Sequence, residues 1–235
     1  STPDSRFSTT APISMSSSQI YIDNASFSST SSNFYDYAVI QHLGVTTITS
    51  GHNRIGFRSA DAGSVALTFA DIQKPNPGTT LELFVDNLIG TGLGAGTKHR
   101  VLNTALDTLG ADVPFVGGWA YTYTGTSGTG GAFVKYDVTG GNGYTAIAPS
   151  ATTLSGAVAT DDIRVTTAQT GFGSIMVNSL NIAGAVTIGN AGDHLVIASG
   201  GLMSSSGTNT VAAATLTSGS GTLYDIAIVS HNISS

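Results

Sequence analysis

Asp161 and Asp162 stand side by side with Arg164 two positions on, and Gly51-His52 precedes Arg54-Ile55. Paired carboxylates are the working parts of glycosidic-bond cleavage, one as acid and one as base or nucleophile. Neighbouring residues of a strand point to opposite faces, so Asp161 and Asp162 would not meet at one bond. Their bland role is a solvated turn and a strand-edge ion pair with Arg164. The five histidines, His42, His52, His99, His194 and His231, show no ligand spacing along the chain. Metal binding by them would need the fold to gather them. Asp193-His194 follows Gly192 and reads as a turn cap. The repeated Gly-Gly-x-Gly-x-Asp pattern of calcium-binding β-rolls is missing.

Residues 90–96, Gly-Thr-Gly-Leu-Gly-Ala-Gly, superficially suggest a phosphate cradle. No Gly-Lys-Ser/Thr and no long helix follows, so the segment reads as a loop. Serines abound, but no Gly-x-Ser-x-Gly elbow lies between a strand and a helix. Trp119, Tyr121 and Tyr123 alternate with Ala120 and Thr122. On one strand they would present three rings on one face, as a core seam, a subunit contact or a sugar-stacking platform. Asn24-Ala-Ser26 and Asn232-Ile-Ser234 are glycosylation sequons, which matter only where the source glycosylates. No catalytic residue, cofactor or metal is expected.

The elements that must carry these residues are strands. From 165 to 235 the chain has no Lys, Arg or Glu and only two Asp. Apolar runs at 174–182, 185–188, 194–198, 210–217 and 222–229 alternate with Gly, Ser and Asn clusters, including Ser199-Gly-Gly201. Short β runs at nearly even spacing mean repeats that stack on their neighbours. Further strands are expected at 19–23, 37–42, 45–49, 54–57, 64–69 and 80–85. Residues 117–123 and 132–137 read as a hairpin, and 161–166 as the start of the regular array. Lys74-Pro-Asn-Pro-Gly78 is a turn, and residues 101–109 allow one or two turns of helix.

Composition bounds the function. Charged residues make up 9% of 235 residues, against about 25% in an ordinary soluble domain. Such a surface repels its own copies weakly. Net charge is −6 and the eight cations are scattered, which argues against nucleic acid as the main partner. Without Cys there is no disulfide or thiolate site. No apolar run is long enough for a membrane-spanning helix. The start Ser1-Thr-Pro-Asp4 lacks an initiator Met, so a processed chain or a piece of a longer one is expected.

Four motifs occur in order: Gln19-Ile-Tyr-Ile-Asp-Asn24; Ala66-Leu-Thr-Phe with Asn76-Pro-Gly-Thr-Thr-Leu81; Gly117-Gly-Trp-Ala120 with Phe133-Val-Lys-Tyr136; and Ala198-Ser-Gly-Gly-Leu202 with Leu216-Thr-Ser-Gly219. Together they resemble the autotransporter-passenger-like β-strand repeat proteins of bacteria, over roughly residues 19–235. The resemblance implies a right-handed parallel β-helix, an extracellular or cell-surface location and a structural or adhesive role. It supplies no catalytic residues. Tyr37 and the preceding Phe34-Tyr35-Asp36 depart from its pattern.

The expectation is therefore an all-β protein, a right-handed parallel β-helix (β-solenoid), with a β-sandwich or jelly roll as the alternative. A polar N-terminal arm would occupy 1–19, an irregular β-rich region 20–160 and regular repeats 161–235. A coil of about 20 residues, with rungs about 4.8 Å apart, would give about ten coils and a rod about 50 Å long. Ile182, Ile188 and Ile197 would stack inside it, with Leu216 and Ile226 beyond. The expected function is non-enzymatic: a segment that assembles with copies of itself into a fibre, sheath or surface layer, helped by strand addition from the arm. An adhesin or carbohydrate-binding module is the alternative, with surface glycans as partner. A polysaccharide lyase or hydrolase stands a distant third.

Overall fold

The structure, a computed structural model, describes residues 8–24, 38–59, 64–74, 76–86, 93–94, 99–123, 131–219 and 226–230. The fold is mainly β with mostly parallel pairing. It divides into two compact units. The first takes the described residues of Ser1–Val116, Thr122–Thr126 and Val134–Ala146; the second takes those of Gly117–Tyr121, Ser127–Phe133 and Ile147–Ser235.

In the first unit the strands β1 (Ile13–Ser16), β3 (Ala38–Ser50), β5 (Ser64–Gln73) and β7 (His99–Asn103) form one sheet in that order. All its pairings are parallel. The strands between them in sequence, β2 (Gln19–Asn24), β4 (His52–Ser59) and β6 (Thr80–Asp86), pair in parallel within a second sheet. That sheet continues through β8 (Ala120–Tyr123), β9 (Gly131–Asp137) and β10 (Gly143–Ala146), and β9 and β10 are antiparallel. Register lines the strands up in rows. Val39, Val65 and His99 form one row, Gln41, Leu67 and Val101 a second, and Leu43, Phe69 and Asn103 a third. Val65, Leu67, Phe69 and Val101 lose all contact with water, as do Ile55, Phe57, Leu81 and Leu83 of the second sheet. Burying each side chain of this size contributes about 1.5–3 kcal/mol.

The row through Asn103 ends in a polar knot. Asn103 Oδ1 accepts from the N–H of Ala105 and Leu106 and so caps the one-turn helix α1 (Thr104–Asp107). Its Nδ2 donates to Tyr144 Oη at 3.0 Å and to Asp71 Oδ1 at 3.2 Å. Tyr136 Oη accepts from Asn103 N at 2.7 Å and lies 2.8 Å from Asp107 Oδ1. The two tyrosine rings meet edge to face at 4.9 Å. Burial pushes both phenols above the ordinary tyrosine range, so they stay neutral hydroxyls. This helix is the short one expected within 101–109, shortened because β7 claims its start.

In the second unit β11 (Asp162–Val165), β12 (Ser174–Ala183), β14 (His194–Ser206), β16 (Thr215–Ser218) and β17 (Ala227–Ser230) form a parallel sheet. β13 (Thr187–Ile188) and β15 (Thr210–Val211) pair separately, also in parallel. Ile175, Leu195 and Leu216 stack in one row and Ile163, Leu180, Leu202 and Ile228 in another. Their offsets are mostly about twenty residues, within the period range of stacked repeats. Ile182, Ile188 and Ile197 are buried as expected, and Leu216 and Ile226 pack against their cluster. The three isoleucines belong to different rows: Ile182 pairs with Val165, Ile197 with Val177 and Ile188 with Val211.

Several expected segments differ. The runs 37–42 and 45–49 join as the single strand β3, because Gly44 lets the backbone lie against Ala11 where no Cβ would fit. Ser199-Gly-Gly201 lies within β14 but still marks a break: the register against β12 shifts there, Gly200 has a positive φ, and the two halves of β14 pair separately with β16 and β17. A Cβ on Gly201 would sit 2.9 Å from Gly118 Cα, so two backbones touch where a turn was expected. The run 210–217 splits into β15 and β16, since Ala212 N turns to Ile188 O and Ala214 N to Asp193 O. The run 185–188 shortens to β13. Within the expected arm 1–19, Ile13–Ser16 already pair with β3, and residues 1–7 lie outside the described residues. Residues 147–160 group with the C-terminal array.

The backbone contact at Gly201 predicts that Gly201→Ala destabilises the second unit by about 1–3 kcal/mol, the range for overpacking. Urea unfolding followed by circular dichroism reads it. A change below about 0.5 kcal/mol would mean that the two backbones separate freely.

Candidate functional site

The densest group of chemistry-bearing side chains in the first unit lies on one face of β2, β4 and β6. Register puts Gln19, Arg54 and Glu82 in one row and His52 beside Thr80. Arg54 grips Glu82 with two bonds, Nε to Oε2 at 3.1 Å and Nη2 to Oε1 at 3.2 Å. His52 Nε2 lies 3.4 Å from Glu82 Oε2, and its Nδ1 lies 3.2 Å from Thr80 Oγ1. The Arg54 guanidinium also covers the Phe84 ring at 4.1 Å, and that ring stacks on Tyr21 at 5.7 Å. One row on, Arg58 binds Asp23 through two further bonds.

Hydroxyl, imidazole and carboxylate are thus within reach of one another. Two facts stand against nucleophilic catalysis. Arg54 holds both oxygens of the carboxylate that would orient the imidazole. The Thr80 N–H donates to Gly51 O, so it is not a donor for a developing oxyanion, which such chemistry requires. The row is a cross-strand brace. Glu82, 4% exposed, was not singled out from the sequence. Its signal is positional: Thr80-Leu-Glu82 repeats the spacing of His52-Asn-Arg54.

Asp161 and Asp162 go separate ways in the second unit. Asp161 accepts from Ser150 Oγ at 3.1 Å and from Val158 N at 2.9 Å, which closes a turn. Asp162 opens β11 and its Oδ1 accepts from Ser179 Oγ at 2.6 Å and Asn178 Nδ2 at 2.8 Å. The two carboxyls therefore do not face one bond.

Asp193 caps its turn through Asn190 N at 2.9 Å, and does more. It accepts from Gly171 N at 2.8 Å and Gly173 N at 2.7 Å, tying the turn at 190–193 to the segment before β12. Burial alone would raise its carboxyl, but the N–H groups of Gly173, Gly171 and Asn190 outweigh that and hold it below the usual carboxylate range. Asp112 plays the same part in the first unit, held low by the N–H groups of Thr139 and Val138. His194 Nδ1 lies 2.8 Å from Thr215 Oγ1, and His99 is buried against Phe57. Among the described residues no three His, Asp or Glu side chains gather to hold a metal ion. His231 lies outside the described residues.

The three aromatics differ in setting. Tyr121 is 5% exposed, while Trp119 and Tyr123 are half-buried. Trp119 precedes β8 and stands in a turn. Burial, with a contribution from the Glu82 charge, raises the Tyr123 phenol. Of the segment 90–96 only residues 93–94 are described. Asn24 ends the edge strand β2, and Asn232 lies outside the described residues.

One interior row is open. Along Ile163, Leu180, Leu202 and Ile228 the exposure runs 2%, 0%, 5% and 66%. Beside it a cleft of about 400 Å³ is lined by Leu202, Val211, Leu216 and Ile228 among others. At the first unit's β2 edge, Ile20 and Ile22 are half-buried, whereas their row partners Ile55 and Phe57 are fully buried.

No protein-family model matches the chain, and neither does any curated protein or solved structure.

The Asp193 arrangement fixes a pH response. A depressed folded pKa gives stabilisation that is complete above the unfolded value of about 3.9 and is lost as pH falls through the folded value. Asp193→Asn should melt at a lower temperature than the parent at pH 7, with the gap closing as the buffer is taken from pH 5 towards pH 2. A gap that stays constant with pH would rule out the carboxylate charge as its cause.

Proposed function

We propose that this chain is a non-enzymatic structural segment that assembles with copies of itself into a fibre, sheath or surface layer. The observation that carries this reading is the row whose last member among the described residues, Ile228, is 66% exposed beside an apolar cleft. A row of parallel strands ends with unpaired amides and carbonyls along its last edge, a template for a further strand. Here that edge also carries Ile228, with the partly buried Val211 and Leu216 lining the cleft beside it. The β2 edge, with half-buried Ile20 and Ile22, offers a further partly apolar surface, on which the one charge, Asp23, is paired with Arg58. Contact between two unlike edges of successive copies does not close on itself and propagates as a filament.

The architecture within this reading is a right-handed parallel β-helix. In the second unit the chain passes in turn through β11, Gln169, β12, β13, β14, β15 and β16, and each segment pairs in parallel with the equivalent one a step later. The alternation of β1 to β7 between two sheets supports winding in the first unit too. Parallel crossovers are right-handed in nearly all sheets. A jelly roll would instead pair its strands in antiparallel fashion. Residues 1–19 contribute through the outer side of β1, beyond which no strand lies among the described residues. An extracellular or cell-surface location belongs to the same proposal and is supported by the resemblance to bacterial passenger-like repeats alone.

Negative-stain microscopy of the purified chain should show filaments or sheets at micromolar concentration. Ile228→Asp, an exposed position, should shift it to monomers by light scattering with its circular dichroism unchanged. Wild-type protein that stays monomeric as its concentration rises would refute the assembly reading.

A further inference from the structure

The outer side of β11 and β12 carries two adjoining polar rows. Asp162 is in register with Ser179, and Arg164 with Asn181. Alternation along a strand puts all four side chains on one face. Phe133, Ile147 and Pro149 stand over them and leave a cavity of about 40 Å³. A water needs about 10–15 Å³ by this measure, so there is room for roughly three.

The polar groups are fixed in place. Ser179 and Asn181 are 2% and 6% exposed. Asn181 Nδ2 donates to Gly131 O at 2.7 Å, and its Oδ1 accepts from Ser205 Oγ at 2.7 Å. Asp162 Oδ1 takes the Ser179 and Asn178 donors, and Oδ2 receives no protein donor among the described residues. Arg164 has an interaction of its own already, and its guanidinium carries five N–H donors, enough to serve a further acceptor.

Charge decides the ligand class. An anion would meet Asp162 and a cation would meet Arg164, each at a cost in a partly desolvated site. A neutral group with a donor and an acceptor side by side meets neither cost. A pair of neighbouring hydroxyls has that form, and the carbons bearing them suit the apolar wall. We infer that this cavity takes the edge of a neutral sugar ring. One hydroxyl donates to Asp162 Oδ2, the adjacent oxygen accepts from Arg164, and the ring C–H groups lie against Phe133, Ile147 and Pro149. The inference does not depend on self-assembly, and polymer formation leaves it unaffected.

Saturation-transfer NMR with glucose, galactose, mannose and N-acetylglucosamine, each at millimolar concentration, tests it. At least one sugar should receive saturation. Arg164→Met, which removes the donors, and Ala132→Leu, which fills the cavity without touching a polar group, should each weaken binding at least tenfold. Melting temperature and near-ultraviolet circular dichroism would verify that the variants fold. Arg164→Lys, which keeps the charge but loses the planar fork, replaces any variant that does not, with the same expected loss. No signal from any of the four sugars means that the cavity holds water alone and overturns the inference. Wild-type affinity in the folded variants overturns it equally.

Discussion

Parallel register is the constraint from which the rest follows. A parallel strand sets each residue beside its counterpart on the next strand, so whatever occupies one row position is met again a step later. Apolar residues gain from this, because Ile163, Leu180 and Leu202 or Val39 and Val65 build continuous buried rows. Charges do not, since like charges directly opposite one another repel. The chain resolves this in two ways. It carries few charges, and where charges share a row it sets opposite signs side by side, as Arg54 with Glu82 and Asp23 with Arg58 do across β2, β4 and β6.

Carboxylates are then left with a different task. Asp193, Asp162, Asp161 and Asp112 each accept hydrogen bonds from neutral donors in neighbouring turns or strands. A single carboxylate can satisfy several N–H groups at a corner where the ladder is interrupted, and hydrogen bonds to an ionised acceptor are the stronger kind. The adjacent pair Asp161 and Asp162, which on paper offers an acid and a base, is divided between a turn and a strand start.

What the sequence made legible was whatever alternation governs. Most strands fall near their expected places, and the buried isoleucines are buried. Row membership was not legible, because Ile182, Ile188 and Ile197 look equivalent in a linear pattern and only the corners of the chain assign them to different ladders. Gly200 and Gly201 are legible to different degrees. Gly200 supplies the unusual backbone angle that a glycine break announces, but Gly201 is needed for lack of a side chain, and that requirement comes from Gly118, far away in sequence. Glu82 was hidden in the same way. A buried carboxylate announces itself only through its partner, and Arg54 is one strand distant.

The two units end comparable rows in opposite ways. In the first, the row of Leu43 and Phe69 finishes on Asn103, whose amide caps α1 and meets Tyr144 while its backbone N–H meets Tyr136. A polar terminus with every group bonded gives a further strand nothing to gain, because adding one would break those bonds. In the second, the row of Leu180 and Leu202 finishes on Ile228 with most of its surface in water. Covering that side chain removes apolar area at about 25 cal/mol per Å², and pairing its edge satisfies backbone groups at the same moment. The same kind of ladder therefore ends in a fully bonded side chain in the first unit and, among the described residues, on apolar surface facing water in the second.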